Sequence, residues 1–406
     1  YVYMGHMRFS DIEPYEEGFW KKNRIDLVYD HVTDLDFIRR DVTTATGKII
    51  AYTKLIIACG SVSNTLDIPG MDAKNVKGLY SIQDLQFIHQ ISKDIKKAVI
   101  VGGGLIGIEL AEMLCSRNIP VTFLVRESAF SNTVLPAAEA LMINDHIREH
   151  HVNLHLDTEP GVIIKNNESL AVGIKTKNEK IFDCDFIGLT VGVHPNVVWL
   201  KNTGLAINKG IIADQFLRTN VENVFAIGDC AELKQPPPGR KPIEAIWYAG
   251  RMMGECVAYT VCGYPTPYDP GIWFNSAKFF DIEYQVYGDI QPTLPQHQNT
   301  FFWQHPGKKK SVRINFEKHG AVVGFNLLGV RFRQEVCEKW ISGKYPIQDV
   351  MQNLQLAFFD PEFSANDCAL IQTQYQVETN QSVQLQKKIN YNPVHQFLTS
   401  QIMRST

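Results

Sequence analysis

The sequence has no CxxC pair among its eight cysteines, no uncharged apolar run of bilayer length and almost no net charge. Each absence excludes a class of protein. The cysteines at 59, 115, 184, 230, 256, 262, 337 and 368 stand apart, mostly inside apolar runs. Neither a zinc ribbon nor a disulfide framework is expected from them; they read as buried thiols of a reducing, cytoplasmic compartment. Crossing a bilayer takes about 20 apolar residues. Even the run from Ala98 to Leu114 carries Glu109 and four glycines, so no membrane span is expected. With 40 Lys and Arg against 43 Asp and Glu, the chain lacks the cation excess that neutralises phosphates, and nucleic acid is not an expected partner. Tyr1 is neither an initiator methionine nor the start of a signal peptide; the expectation is a fragment of a longer chain.

What is present is ordinary globular material. The 406 residues are 45% hydrophobic and 20% charged, enough for two to four domains at about 100 to 200 residues each. The run KLIIACG from Lys54 to Gly60 looks like a buried strand delivering a backbone turn. From Lys97 the order is strand, glycine turn, helix and strand, ending at Val125. A helix is expected from about Pro136 to Glu149 and a strand from Val152 to Leu156. Runs at Gly161 to Ile164, Leu170 to Thr176 and Phe186 to Val191 look like an antiparallel meander. Ile243 to Val261 reads as a helix, after which Pro265, Pro267 and Pro270 mark a boundary. Antiparallel strands are expected in Trp273 to Ile290 and Phe301 to Phe325, and a helix in Arg331 to Ser342. Beyond about Thr373 the chain is rich in Gln and Asn, and no structure is assigned.

Gly102, Gly104 and Gly107 spell GxGxxG after an apolar strand and at the mouth of a helix. In that setting the first glycine permits the tight turn, the second lets backbone approach a pyrophosphate, and the third lets helix pack on strand. Leu105 and Ile106 sit between them in the first helical turn, whose N–H groups and dipole favour an anion. The end of the next strand should choose between nucleotides. There Val125 is followed by Arg126 and Glu127; an apolar residue and a guanidinium suit a 2′-phosphate and lean toward NADPH. Glu127 pulls the other way, and a solvated surface arginine is the plain alternative.

Four motifs in order then carry a resemblance: LIIACGS with DIPG within 55–70, VGGGLIGIELAE at 101–112, GLTVGVHPN at 188–196 and RTNVENVFAIGDCAE at 218–232. Together they resemble the FAD-dependent pyridine nucleotide-disulfide oxidoreductase superfamily, nearest to its rubredoxin reductase, ferredoxin reductase and nitrite reductase flavoprotein branch. The resemblance spans about residues 1 to 350. It implies an α/β fold with two Rossmann-like domains, the NAD(P) domain inserted in the FAD domain, and a small α+β C-terminal domain. The expected boundaries are a first FAD part at 1–78, an NAD(P) domain at 79–205, a second FAD part at 206–270, a C-terminal domain at 271–372 and a polar tail at 373–406.

The resemblance also implies roles. Ala58, Cys59 and Gly60 match a turn that touches FAD, with Cys59 where threonine is usual, and Val32 looks like the position whose backbone meets the adenine. Gly228 and Asp229 match the motif whose carboxylate accepts from the ribityl chain, Glu109 an acid near the nicotinamide, and Gly192 the glycine that the nucleotide passes. Glu244 and Trp247 fall where the family flanks the flavin ring. Solvated or core positions are the plain alternatives for Glu109 and Trp247, and a helix cap for Asp229. The cofactors implied are FAD and NAD(P)H, and the partner is a small electron carrier of rubredoxin or ferredoxin type, with a homodimer as an option.

The family's first FAD fingerprint has no counterpart before Gly102; the expectation is a missing unit of roughly 30 to 50 residues. No C-terminal His-Pro-Thr motif is visible, and His305-Pro306 reads as a turn, so an electron-transfer reductase is expected over a disulfide reductase. No catalytic side chain is required, because hydride passes between the cofactors. His150, His151 and His155 straddle a helix end and a strand, and no metal site is expected from them. Ser61 and Ser63 lack a GxSxG elbow. Lys308 to Lys310 form a docking patch for an acidic carrier or simply a solvated turn. The competing functions are a quinone or oxygen reductase and a non-catalytic NAD(P)-binding redox sensor.

Overall fold

The computed structural model describes residues 1–359 and 366–380. It divides into two compact units, Tyr1–Ile282 and Glu283–Thr406. No helix among the described residues is long and apolar enough to cross a membrane.

In the first unit, the one-turn helix α1 (Phe19–Lys22) precedes a meander of β1 (Val32–Asp36), β2 (Asp41–Thr44) and β3 (Ile49–Ala51). The short strands β4 (Leu55–Ile57) and β5 (Ser61–Ser63) follow. Next come β6 (Val76–Lys77), α2 (Ile82–Ile91), β7 (Ala98–Val101), α3 (Leu105–Cys115), β8 (Val121–Leu124), α4 (Ala137–Glu149) and β9 (Asn153–His155). The chain then makes an antiparallel meander of β10 (Pro160–Lys165), β11 (Ala171–Thr176) and β12 (Ile181–Asp183) before β13 (Phe186–Leu189).

Five of these strands form one parallel sheet in the order β6-β13-β7-β8-β9. The segment from Phe186 is therefore not the meander strand the sequence predicted. All four residues of β13 are buried, which requires cover on both faces and suits the interior of a parallel sheet; β12 closes the meander instead. Helix α4 and strand β9 fall where the hydrophobic periodicity puts them.

Beyond the sheet lie β14 (Val193–Pro195), β15 (Ile211–Ala213), β16 (Val224–Ala226), β17 (Ala231–Leu233), α5 (Trp247–Val261) and β18 (Phe274–Phe279). β16 pairs parallel with β4, and β14 pairs antiparallel with β5. Segments that precede the parallel sheet in sequence thus pair with segments that follow it. Their shared core joins Ile57, Val224 and Ala226 to Met253 and Val257 of α5. Helix α5 starts later than Ile243 because Glu244 is held outside it: its carboxylate accepts from Arg240 Nε at 2.7 Å and Nη2 at 2.5 Å.

The second unit contains β19 (Ile282–Gly288), β20 (Gln298–Gln304), β21 (Ser311–Glu317) and β22 (Val322–Leu328), antiparallel in the order β19-β22-β21-β20. With them are α6 (Gln334–Ser342), α7 (Ile347–Gln352) and α8 (Cys368–Thr379). α8 runs past Thr373, so the segment read as unstructured begins helical: Ile371, Gln372 and Tyr375 are buried on its inner face. Residues 381–406 of the expected tail lie outside the described residues. Lys310 pairs with Asp367 at 2.7 Å, and Lys308 occupies the β20–β21 turn with φ +54°.

Candidate functional site

β7 ends at Val101, and the chain turns through Gly102 (φ +113°) to Gly104, the N-cap of α3. A Cβ on Gly102 would stand 2.5 Å from the Thr190 carbonyl oxygen. One on Gly107 would be 2.6 Å from the Gly102 carbonyl oxygen and 2.8 Å from the Phe123 ring. These two glycines are demanded by the protein's own packing. Thr190 pins the same corner, its hydroxyl donating to the carbonyls of Val101 at 2.9 Å and Gly102 at 3.1 Å.

Gly104 is different. Nothing lies within 4 Å of where its Cβ would be, and no side chain caps the helix. The turn lines a cleft of about 750 Å³, within the range of small-molecule and cofactor sites. Uncapped N–H groups at Leu105 and Ile106, the positive end of the helix dipole and an open approach to Gly104 together make an anion site.

The opposite wall is organised by Asn64, which the sequence reading did not single out. Its Nδ2 donates to the Val191 carbonyl at 3.1 Å, its backbone N–H donates to the Gly192 carbonyl at 3.0 Å, and its Oδ1 lies 2.7 Å from His194 Nδ1. Gly192 has φ +93°, so only glycine takes this corner without strain. At the rim, Arg126 reaches Glu127 Oε1 from Nε at 3.2 Å and Nη2 at 2.9 Å; its side chain is 71% exposed. Lys177, also at the rim, pairs with Glu159 at 2.5 Å.

A second cleft, of about 300 Å³, lies where β4 and β16 end, and is lined by Ala58, Gly60, Tyr80, Gly228, Asp229 and Trp247 among others. Asp229 Oδ2 accepts from Ser61 Oγ at 3.0 Å and from the Tyr80 hydroxyl at 3.1 Å. The Tyr80 oxygen in turn accepts the Ser61 N–H at 2.8 Å. Burial, with the Asp229 carboxylate adding, pushes the Tyr80 phenol up. Gly60 and Gly228 take φ +67° and +68°. Trp247, the first residue of α5, is 69% exposed, with Arg251 over its ring at 5.7 Å.

Other predicted residues do not line either cleft. Cys59 donates to the Asn196 carbonyl at 3.2 Å; interaction with Cys230 and burial push its thiol up. Val32 packs on the core around Ile57 and Val224. Glu244 spends its carboxylate on Arg240, the two side chains being 5% and 4% exposed. Glu109 reaches solvent from α3, yet crowding around its carboxyl raises its pKa, with Glu112 adding. Ser61 and Tyr80 were not assigned to the Asp229 site from the sequence; the signal available for Ser61 was its place directly after the Ala-Cys-Gly turn.

Residues 8–254 match the family described as pyridine nucleotide-disulphide oxidoreductase. A nitrite reductase [NAD(P)H] of Bacillus subtilis (strain 168) is 26% identical over 330 residues, covering 81% of this chain and 40% of the relative. An assimilatory nitrate reductase electron transfer subunit of the same organism is 28% identical, with 80% and 41% covered. The chain thus spans about two fifths of the length of these two relatives. An NADH-rubredoxin oxidoreductase of Clostridium acetobutylicum is 28% identical over 293 residues, 70% of either chain. Among solved structures, a NAD-dependent persulfide reductase from A. fulgidus matches with TM-score 0.79 at 22% identity, covering 94% of this chain and 75% of the other. Putidaredoxin reductase in covalent complex with putidaredoxin matches with TM-score 0.75 at 17% identity, covering 92% and 88%. The two structural likenesses establish the fold alone.

Proposed function

Because the chain belongs to the pyridine nucleotide-disulphide oxidoreductase family, we propose that it is an FAD-dependent NAD(P)H reductase that delivers electrons to a small iron-sulfur or rubredoxin-type carrier. The observation that carries the reading is Gly104: of the three fingerprint glycines, it alone has no protein atom near its absent Cβ. Packing explains the other two, and a ligand that must come close to backbone explains the open space at this one.

In this reading the N–H groups of the 103–106 turn hold the pyrophosphate, and Gly192 gives the nicotinamide half room to pass. Arg126, with Lys177 beside it, is the cation for a 2′-phosphate, while Glu127 competes for it. The second cleft fits the sugar-alcohol part of FAD. Both hydroxyl donors go to Asp229 Oδ2, which leaves Oδ1 to accept from the ligand, and the open face of Trp247 is placed to cover an aromatic ring. The sequence has no glycine fingerprint before Gly102, so no residue is assigned to the pyrophosphate of FAD. FAD, when bound, supplies the conversion between hydride from NAD(P)H and single electrons for a carrier. The chain's task is to bind, align and exclude water; no side chain is assigned as acid or base.

Carrier names among the relatives support the acceptor class: rubredoxin in the clostridial oxidoreductase and ferredoxin in a reductase subunit of a Sphingobium demethylase. The eight free cysteines support a reducing location. The test is anaerobic mixing of the purified, flavin-loaded protein with NADH and NADPH. Bleaching of the flavin absorbance with at least one of them is expected, and bleaching with neither refutes the reductase. Turnover with rubredoxin or ferredoxin above that with quinone or oxygen is expected; the reverse order refutes the carrier assignment.

A further inference from the structure

The histidines that stand together in sequence do not meet. His155 faces Phe182, with ring centroids 4.7 Å apart, while His150 meets His146, one turn back on α4, and Asp281, far away in the chain. His146 Nε2 lies 2.7 Å and His150 Nε2 2.9 Å from the same oxygen, Asp281 Oδ1. The two rings are nearly perpendicular, at 84°, with centroids 4.6 Å apart. One potential ligand atom from each residue lies within 4.8 Å of the others.

We propose that His146, His150 and Asp281 form a three-ligand site for a divalent transition-metal ion, zinc by its chemistry. The spacing is the first reason. Residues four apart on a helix share one face, and two imidazoles so placed converge on one point, as in other zinc sites with histidines four apart. An ion about 2.0–2.1 Å from each donor would hold tetrahedral ligand atoms about 3.3 Å apart. The two imidazole-to-carboxylate separations, 2.7 and 2.9 Å, would open by about 0.4–0.6 Å to reach that value.

The second reason is the support behind Asp281. It follows Phe280, a bulky residue at φ +53°, a conformation held only where surroundings over-determine it. They do so here. Phe280 stacks on His150 with centroids 4.1 Å apart and planes 6° from parallel. Phe279 is fully buried and packs edge-on against Phe130 at 6.1 Å. Lys278 pairs with Glu112 of α3 at 2.8 Å. Three successive residues thus fix the turn that presents the carboxylate. His146 is 1% exposed, His150 36% and Asp281 60%, so the cluster runs from a buried ligand to an exposed one. Glu149 Oε2 lies 3.6 Å from His146 Nδ1, so a small side-chain movement would bring an outer carboxylate onto the ligating imidazole.

The chemistry selects the ion. Two imidazoles and one carboxylate suit zinc, cobalt, nickel or copper better than magnesium or calcium, which take oxygen donors. Bound there, the ion ties the C-terminal end of α4 to the turn at Phe280 and Asp281.

The test uses the full chain, free of any histidine tag, titrated at neutral pH with Co(II) and then Zn(II). The expected result is one equivalent of cobalt with visible ligand-field bands, displaced by zinc and accompanied by a saturable rise in melting temperature. His150→Ala and, separately, Asp281→Asn should abolish the bands and the metal-dependent rise in melting temperature while leaving NADH binding at the wild-type value. No bound cobalt at micromolar protein and metal in excess overturns the proposal. So does binding that persists undiminished in His150→Ala, or a sulfur-to-metal charge-transfer band, which assigns the ion to cysteine.

Discussion

Replacing the fingerprint glycines by alanine one at a time should separate what the fold requires from what the ligand requires. At Gly102 the new methyl would stand 2.5 Å from the Thr190 carbonyl oxygen and 2.8 Å from its carbon, with φ at +113°. Strain of about 1–3 kcal/mol for the backbone and about 1–3 kcal/mol for overpacking give a loss of roughly 4 kcal/mol. At about 2 °C per kcal/mol for a large unit, the melting temperature falls by roughly 8 °C. At Gly104, φ is −108° and no atom lies within 4 Å. Alanine there loses some capping preference and gains from a less flexible unfolded chain, so stability should stay within about 1 kcal/mol. Its methyl, however, occupies the approach of the pyrophosphate. Losing one charge-assisted hydrogen bond costs about 1.5–3 kcal/mol, or roughly 10- to 100-fold in NAD(P)H affinity. Thermal melts and calorimetric titration with NADH and NADPH read the two effects. If Gly104→Ala melts as low as Gly102→Ala, or binds both nucleotides as tightly as wild type, the assignment of the cleft is wrong.

Further substitutions test the remaining contacts. Glu127→Gln should free Arg126 and raise the preference for NADPH over NADH several-fold in steady-state kinetics; an unchanged ratio would put Arg126 outside the nucleotide site. Asp229→Ala removes the acceptor shared by Ser61 and Tyr80, and the flavin retained per protein should fall sharply while NADH affinity stays near wild type. Glu244→Ala leaves a buried guanidinium with only the Pro270 and Gly271 carbonyls and no counter-charge, and should cost about 3–5 kcal/mol in denaturant melts; a loss under 1 kcal/mol would mean that those carbonyls suffice. Burial pushes the Cys184 thiol up to about 12 and those of Cys115 and Cys368 to about 11. In native protein at mildly alkaline pH, a thiol reagent should therefore label exposed Cys262 first, as peptide mapping can check.

Cys262 also marks a limit of reading burial from local composition. It lies in the run that ends α5, yet it is the helix C-cap and opens to solvent. Where the needed information was local, the sequence carried it. GxGxxG between strand and helix specified the turn, because each glycine answers a contact or an opening within a few residues or against the adjoining strand. The helical period of residues 137–149 and the four ordered motifs were legible for the same reason. Partner choice was not. Asp229 could be marked as an acceptor, but its two donors come from Ser61 and Tyr80, more than a hundred residues earlier.

The sequence by itself determined the α/β class, the dinucleotide turn and the family, since these depend on short-range pattern and motif order. Only the tertiary structure decided that β13 joins the parallel sheet, that Glu244 serves Arg240 and not a cleft, and that Asn64 frames Gly192. It also decided that His150 meets His146 and Asp281 in place of its sequence neighbours. The physical reason is common to all four. Hydrogen bonds, ion pairs and ligand clusters form between atoms within a few ångströms, whatever the length of chain between them, and hydrophobic periodicity records which side of an element is buried without recording what lies against it.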